Sequence, residues 1–491
     1  MAMKITNSMT GQKEEFVPIE KDKVRMYACG ITVYDLSHIG HARQAIVYAM
    51  MADYFRFKGY EVTYVRNYTD VDDKIIKRAN EKGIDALEFS KMQINETERD
   101  MENLHITDAN IKPKASEYIL KIIEFIEGLI QKGFAYCASN GDIYFSVGKF
   151  KDYGKLSHRK IDELLEGVRI EVGEEKEDPI DFALWKAAKP GEISWDSPWG
   201  KGRPGWHIEC SCMALDTLGE TIDIHGGGRD LLFPHHENEV AQSEALTGKE
   251  FANYWTHCGL IKINGEKMSK SLGNSLTIRE ILEEFNYEVV KLVTFSKHYT
   301  SDIDISNNDF REAEGHLYYF YNTLNRAKKY IEENKNKENT EIIHNETVDS
   351  IVSKFIDAMD DDFNTVFAVS NLYILFKYMN NLMDSNKQNS QIIANTLEKM
   401  IDDIKYVYGV FGLFGQNPDD FIKNMQGKFL GRLDIDVQWI EAKINERLDA
   451  KKGKDFERAD NIRDELEAKG IILKDCGSTT TWDIRELYFN N

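Results

Sequence analysis

The chain has 491 residues, 42% of them hydrophobic and 30% charged, with 62 basic against 83 acidic side chains and a formal net charge of −21. That length predicts several domains, and the charge argues against a generally sticky nucleic-acid binder, so a polyanionic partner would need local basic surfaces. Six cysteines in so long a chain exclude a disulfide scaffold and suit a reducing cytosol. No apolar run approaches the roughly 20 residues that span a bilayer, and the N-terminus shows no charged-then-apolar signal pattern, so a cytoplasmic protein with no membrane partner is expected.

In chain order, Val24, Met26 and Ala28 alternate with Arg25 and Tyr27 as in a strand. After it come Cys29-Gly30-Ile31-Thr32-Val33-Tyr34-Asp35 and Leu36-Ser37-His38-Ile39-Gly40-His41. A helical pattern then runs from Ala45 to Phe57, with Ser37 as a natural N-cap and Lys58-Gly59 as its stop. Val62 to Arg66 reads as a second strand, so the three form a βαβ unit with a parallel sheet. The stretch around His38 therefore lies beyond the carboxyl end of a strand, where open α/β sheets bind ligands. His38 and His41, three apart, share a face of the first helical turn and can donate to phosphate oxygens. Gly40 between them lets a flat ligand approach the backbone, and a helix N-terminus favours phosphate. Taken alone, the same residues also read as an ordinary helix cap. Thr69 and Asp70, after the second strand, read either as the cap of the next helix or as substrate contacts at a strand's carboxyl end.

From Lys114 the pattern changes to one helix, Ala115 to Gln131, short strand-like pieces, and segments rich in aromatics and breakers up to Trp206. This reads as an insertion between two halves of a nucleotide-binding sheet. The sheet resumes at Thr221 to Ile224 and runs into His225-Gly226-Gly227-Gly228, which reads as a flexible turn or as a close approach to a nucleotide, with His225 as a site candidate. Pro234 is placed to open a helix on which His235 and Glu239, four apart, present two donors on one face. Cys210 and Cys29 are the thiols placed to complete an S₂NO set suited to zinc, although spacing alone, with no C-x-x-C pair, favours buried core thiols. Lys267-Met268-Ser269-Lys270-Ser271 puts two lysines and two serines on a loop that could hold a triphosphate and then release pyrophosphate.

Beyond Asn274 the spacing is helical: Ile278 to Phe285, Val289 to His298, Phe310 to Glu333, Val348 to Met383 and Ile392 to Phe411, with a solvated break expected at Asp360 to Thr365. Two further helices, Val437 to Ala450 and Phe456 to Lys469, precede short strands at Ile471 to Lys474 and Thr479 to Asp483. Lys451, Lys452, Lys454, Arg458 and Arg463 supply a local basic cluster, and Trp482 reads as a base-stacking or a packed aromatic.

The His38–His41 motif followed by the Lys267–Ser271 loop resembles the class I aminoacyl-tRNA synthetases, in which these motifs bind ATP. Cys29 to Asp35, Gly202 to Cys210, His225 to Gly228, Phe233 to Glu239 and the tail from Lys454 to Leu466 together resemble the cysteinyl-tRNA synthetase family along nearly the whole chain. The resemblance implies an α/β Rossmann-type catalytic domain with a parallel sheet and an insertion, followed by a helical bundle and a small α+β C-terminal domain. The expected boundaries are residues 1–114 and 200–250 for the two catalytic halves, 115–199 for the insertion and 251–312 for the Lys267–Ser271 loop and stem-contact region. Residues 313–430 are expected to form a tRNA-arm bundle and 431–491 an anticodon-recognition domain.

The implied reaction joins L-cysteine to the 3′ end of its tRNA through cysteinyl-adenylate, with ATP as substrate, Mg²⁺ beside it and one Zn²⁺ per monomeric chain. The resemblance carries the zinc ligands onto Cys29, Cys210, His235 and Glu239. It also carries the ATP motifs onto His38, His41, Lys267 and Lys270, and an aromatic that shapes the amino-acid pocket onto Trp206; from their places in the chain, Gly40 and His225 are expected as nucleotide contacts and Cys29 and Thr69 as substrate contacts. Zinc would matter because cysteine and serine differ only by sulfur for oxygen, which shape discriminates poorly. Two rivals remain at this stage: a ligase joining cysteine to an amino sugar, which would lack the terminal unit, and a non-catalytic RNA binder with a structural zinc.

Overall fold

The alternation in Lys23–Thr32 and Glu61–Thr69 is that of strands buried on both faces, and the structure pairs them in parallel. The computed structural model describes residues 2–159, 175–263, 265–267, 276–334, 340–385, 389–476 and 479–484. The segments β1 (Lys23–Thr32), α1 (Ile39–Phe57), β2 (Glu61–Thr69), α2 (Asp73–Lys82), α3 (Trp206–Leu218), β3 (Ile222–Gly228), α4 (Glu237–Thr247) and β4 (Ala252–Cys258) build the sheet that carries the site. Its order is β4–β3–β1–β2, all parallel. Chain order reverses at β1, which lies between the first and second halves of the sheet, and such a reversal opens a crevice at the strands' carboxyl ends.

Contacts divide the chain into two units. One comprises Met1–Thr277, His298–Asp304 and Met359–Asn364; the other comprises Ile278–Lys297, Ile305–Ala358 and Thr365–Asn491. Inside the first unit, Ala135–Cys137, Ile143–Phe145, Phe182–Ala187 and Gly202–Pro204 form a separate antiparallel sheet. Trp185, fully buried, packs there with Phe145, Phe182 and the apolar face of Ile119–Gln131.

Local details differ from the sequence reading in instructive ways. The cap of α1 is His38 (φ −111°, ψ 172°), not Ser37, and the helix begins six residues earlier than the apolar pattern suggested. Nδ1 of His38 accepts from the Gly40 N–H at 3.1 Å and Nδ1 of His41 accepts from the His38 N–H at 3.3 Å, so two imidazoles do the work of a capping box. The cap of α2 is Asp72, not Thr69 or Asp70; Thr69 ends β2 instead. The glycine run after His225 continues β3 rather than forming a turn. A Cβ on Gly226 would lie 2.4 Å from the Tyr48 ring and one on Gly227 2.8 Å from the His236 ring, so the close approach is to side chains of the protein. Pro234 does not open a regular helix: Phe233 is extended and α4 begins at Glu237 after a wide turn over Leu232–His236.

Two positions show what holds this architecture. Gly30 sits at the register shift between β1 and β2, donating to Asn67 Oδ1 at 2.8 Å, and a Cβ there would lie 1.6 Å from the Asn67 carbonyl oxygen. Gly30→Ala is therefore expected to cost about 3 kcal/mol, the upper range for overpacking, read as a lowered urea midpoint at unchanged slope. Arg43 on α1 is 1% exposed and donates to the carbonyls of Gly259 and Ser301, each at 2.6 Å, and more weakly to those of Leu260, Tyr299 and His298. It ties α1 to the segments on either side of the Lys267–Ser271 loop. Arg43→Met keeps the volume and strands those carbonyls, so a loss of about 3 kcal/mol of unfolding free energy is expected by the same measurement.

The break at Asp360–Thr365 exists, but of its three acids only Asp361 is exposed. Helices Ile351–Asp360 and Thr365–Met383 flank a turn in which Asp362 and Phe363 take left-handed conformations. Asp362, 3% exposed, accepts from the Thr6 N–H at 2.8 Å and the Tyr299 hydroxyl at 2.9 Å, while Asp360 accepts from the Tyr54 hydroxyl at 2.7 Å and Lys58 at 3.0 Å. These buried acids are spent on hydrogen bonds that fix the turn.

The second unit is helical around Asn307–Asn334, which packs against Thr365–Met383, Ser390–Tyr408 and Pro418–Arg432. Tyr321 stacks on Phe421 at 3.6 Å, and Glu314 holds Arg432 through both carboxylate oxygens at 3.1 and 2.6 Å. Val437–Lys452 and Phe456–Ala468 then pack together beside the antiparallel hairpin Ile471–Cys476 and Thr479–Ile484, where Trp482 faces Leu473. Much of the expected basic cluster is paired within this module: Lys451 with Asp475 at 2.8 Å, Lys452 with Asp449 at 3.3 Å and Arg458 with Glu446 at 2.8 Å. Among the described residues, no helix is long and apolar enough to cross a membrane.

Candidate active site and metal centre

Beyond the carboxyl ends of β1 and β3 lies a cavity of about 320 Å³, lined among others by Cys29, Gly30, Thr69, Trp206, Cys210 and His235, with His38, Gly40 and His41 on its wall. Each donor reaches it for a local reason. Cys29 sits near the end of β1, just before the backbone shifts register; Cys210 is one turn into α3; His235 is held by the turn before α4, and Glu239 is in the first turn of α4. Sγ of Cys29 and Cys210, a ring nitrogen of His235 and a carboxylate oxygen of Glu239 all lie within 4.8 Å of one another, and all four residues are buried. Among the described residues a second such group, Cys29, His225 and His236, shares the same thiol.

The electrostatics of this cluster are those of charged ligands packed against one another. Burial opposes ionisation of Glu239, yet His225 and His235, each 3.0 Å from its oxygens, hold its carboxyl well below the usual range. Burial likewise opposes protonation of His235, but Glu239 and Cys210 together push it up to about 10. A hydrogen bond from Cys29 brings Cys210 down to about 6 against its burial, while burial and the neighbouring thiol push Cys29 up. Negative charge concentrated on sulfur and oxygen in a dry pocket is what a soft divalent cation neutralises.

Around the four donors lies a layer of histidines that spacing does not reveal. His207 Nδ1 meets His235 Nδ1 at 3.0 Å, and His236 Nδ1 meets His257 Nε2 at 2.8 Å, with Ser8 Oγ beyond at 2.7 Å. Burial keeps His207 and His236 neutral and brings His257 down to about 3. Trp206 stacks on His235 with centroids 4.3 Å apart and leaves 39% of its surface open. Gln44, also missed from sequence, donates to the Cys29 carbonyl at 2.6 Å and lines the cavity with Tyr34, Lys74 and Asp230. The almost continuous buried run of α1 hides Gln44 among core positions, and only its place one turn beyond Gly40 marks it.

The histidine pair lines the same cavity as the thiols. The rings of His38 and His41 stack at 3.7 Å and 16°. Because each Nδ1 accepts a backbone N–H, the proton sits on Nε2, which makes both Nε2–H groups donors. Thr69 lines the same cavity. His225 does not: it is fully buried behind the cluster with Nε2 on Glu239 Oε2 at 3.0 Å. A strand-end residue can face the crevice or the layer behind it, and the sequence does not distinguish the two. Lys267 lies in the short strand Glu266–Lys267, paired with Ile261–Ile263; its side chain, like Lys270 and residues 268–275, is outside the described residues.

A parallel sheet reversed at β1, with a stacked histidine pair at a helix N-terminus facing the crevice, is the arrangement of a nucleotide-binding synthetase domain. Residues 15–315 match the family described as tRNA synthetases class I (C) catalytic domain, and residues 354–415 match the DALR domain. The chain is also similar in fold to Mycobacterium tuberculosis methionyl-tRNA synthetase in complex with methionyl-adenylate, with a TM-score of 0.60 at 13% identity, covering 82% of this chain and 96% of that one. The leucyl-tRNA synthetase of Agrobacterium radiobacter, solved with tRNA, gives 0.58 at 10% identity over 82% and 87%. The protein is a class I aminoacyl-tRNA synthetase.

Sequence similarity narrows this. The chain is 49% identical over 491 residues to the cysteine–tRNA ligase of Geobacter metallireducens and 48% identical over 489 residues to that of Thermodesulfovibrio yellowstonii, covering 99% and 98% of this chain and all of each relative. The chain belongs to the cysteine–tRNA ligase family, an ATP-dependent ligase family.

Proposed function

We propose that the chain activates L-cysteine with ATP in the cavity between the thiol cluster and the histidine pair, and then passes it to the 3′ end of its tRNA. The observation that carries this reading is the convergence of two thiols, an imidazole and a carboxylate, the first three lining a cavity whose wall also holds a proton-donating histidine pair. The donor set fits zinc in number, kind and charge. Cys29, Cys210, His235 and Glu239 would hold it, and a zinc ion there would supply a soft Lewis acid that stabilises a substrate thiolate and gains little from a hydroxyl.

The residues do the rest by position. Trp206, rigid on His235, walls the side-chain end of the pocket, and Thr69 and Gly30 bound its backbone end. The cysteine carboxylate attacks the α-phosphorus of ATP and pyrophosphate leaves. His38 and His41 donate from Nε2 to phosphate oxygens as charge grows there, while Gly40 lets the nucleotide approach. Lys267 and Lys270, with Mg²⁺ accompanying the nucleotide, hold the β- and γ-phosphates and release them as pyrophosphate. The terminal ribose hydroxyl of tRNA then attacks the cysteinyl carbonyl carbon and AMP leaves. His225, placed on Glu239, acts in this reading by orienting that carboxylate.

The same reading assigns residues 313–430 to the tRNA arm and 431–491 to the anticodon, with the catalytic halves, insertion and loop region as partitioned above. It also takes the chain to act as a cytoplasmic monomer. Two assays test the activity: cysteine-dependent ATP–pyrophosphate exchange, and charging of tRNA with labelled cysteine. Exchange without charging would favour a ligase with another acceptor, and neither would overturn the reading.

A further inference from the structure

The four candidate metal donors are not held in place alike. His235 is oriented through its second polar atom, Nδ1, by His207 at 3.0 Å, and Glu239 through Oε2 by His225 at 3.0 Å. A thiol has no second polar atom by which it can be turned, so a cysteine donor must be aimed through its backbone. Cys210 has the backbone of α3 for this. Cys29 has no such support from the sheet. β1 pairs with β3 as far as Ala28 opposite Gly226, and with β2 as far as Ala28 opposite Arg66, where the register shifts and resumes at Ile31 opposite Tyr68. Cys29 and Gly30 therefore have no register partner on either neighbour.

Buried backbone groups need partners all the same, and two side chains supply them at this peptide. The Cys29 carbonyl accepts from Gln44 Nε2 at 2.6 Å, and the N–H of the same peptide, on Gly30, donates to Asn67 Oδ1 at 2.8 Å. Gln44 stands out on its own helix. Ala42, Arg43 and every residue from Ala45 to Ala52 are buried, while Gln44 is half-buried and lines the first cavity beside Cys29 and Gly30. A polar side chain in such a run is costly unless its hydrogen bonds are made, and this one is spent on the backbone of a metal donor. His41 lies three residues before it on the same helix face, so α1 carries both a phosphate donor and the clamp on the thiol-bearing peptide. We infer that Gln44 is a positioning residue: with Asn67 it fixes the Cys29–Gly30 peptide and so aims the Cys29 thiol at the metal. The inference rests on the reading that zinc sits on the four donors.

The test uses the full chain loaded with zinc, in Gln44→Met, which keeps the volume but not the donor, and in Gln44→Glu, which keeps the shape and turns an acceptor toward the carbonyl. Zinc release to a colorimetric chelator is expected to quicken about tenfold to a hundredfold in Gln44→Met, the share of metal affinity that an orienting partner commonly carries, and at least as much in Gln44→Glu. In pyrophosphate exchange the KM for cysteine should rise about tenfold, while the KM for ATP stays as in wild type. The unfolding midpoint of the zinc-free protein should stay close to wild type in Gln44→Met. Zinc release at the wild-type rate in both variants would overturn the inference, and a raised KM for cysteine alone would then place Gln44 on the substrate instead. Faster release matched by a lowered midpoint of the zinc-free protein would make Gln44 a packing residue and overturn it as well. A wild-type protein that takes up no zinc would instead overturn the reading on which the inference stands.

Discussion

Replacing Cys210 by serine is expected to prevent zinc from binding and to lower cysteine-dependent pyrophosphate exchange by at least about a hundredfold, since removing even an outer-layer partner of a metal ligand costs tenfold to a hundredfold. The size of the effect follows from the geometry. Four buried donors lie within 4.8 Å of one another, and losing Cys210 leaves a cation three of them, only one of which is sulfur. Serine keeps the volume but gives a hydroxyl that stays protonated and is a poor soft ligand. Zinc content per chain and exchange rate should therefore fall together. Residual exchange in the variant should also discriminate less between cysteine and serine, because shape alone separates these substrates weakly. Full zinc content with unchanged discrimination would remove the metal from substrate selection.

The second large effect is expected at the histidine pair, where function and helix capping share the same rings. His38→Asn keeps an acceptor where Nδ1 takes the Gly40 N–H at 3.1 Å, so the cap survives, yet it loses the donor at Nε2. Exchange should drop about a hundredfold to a thousandfold, the loss typical of one donor to a developing oxyanion. The unfolding midpoint should stay close to wild type. His38→Ala loses both, and should add a stability cost of about 1 kcal/mol. If His38→Asn exchanged at the wild-type rate, the pair would be a helix cap and nothing more.

How much of this was legible beforehand depends on the range of the interaction. The βαβ unit, the parallel sheet and the terminal two-helix-plus-hairpin module were readable, because strand alternation and helix spacing are local. What failed locally failed for chemical reasons. Histidine is not among the usual capping residues, so the true start of α1 was hidden behind Ser37. The glycines after His225 read as a turn because nothing in the sequence announces that Tyr48 and His236 will press on them. Asp360 and Asp362 read as solvated because their partners, Thr6, Tyr54, Lys58 and Tyr299, are far away in the chain. Of the four candidate metal donors, only His235 and Glu239 are related by spacing. Cys29 and Cys210 join them through the sheet and α3, which resemblance to the family supplied and periodicity could not. His207, His236 and His257 form hydrogen bonds across elements, and no pattern in the sequence marks them as neighbours.

The central claim is that two thiols, an imidazole and a carboxylate hold a zinc ion that recognises the substrate through its sulfur. X-ray absorption at the zinc edge tests it most directly on the purified protein, before and after addition of L-cysteine and then of L-serine. The account predicts zinc bound by the two protein sulfurs with nitrogen and oxygen, a third sulfur appearing with cysteine, and no change with serine. A spectrum that holds at two sulfurs when cysteine is bound and being activated would contradict it.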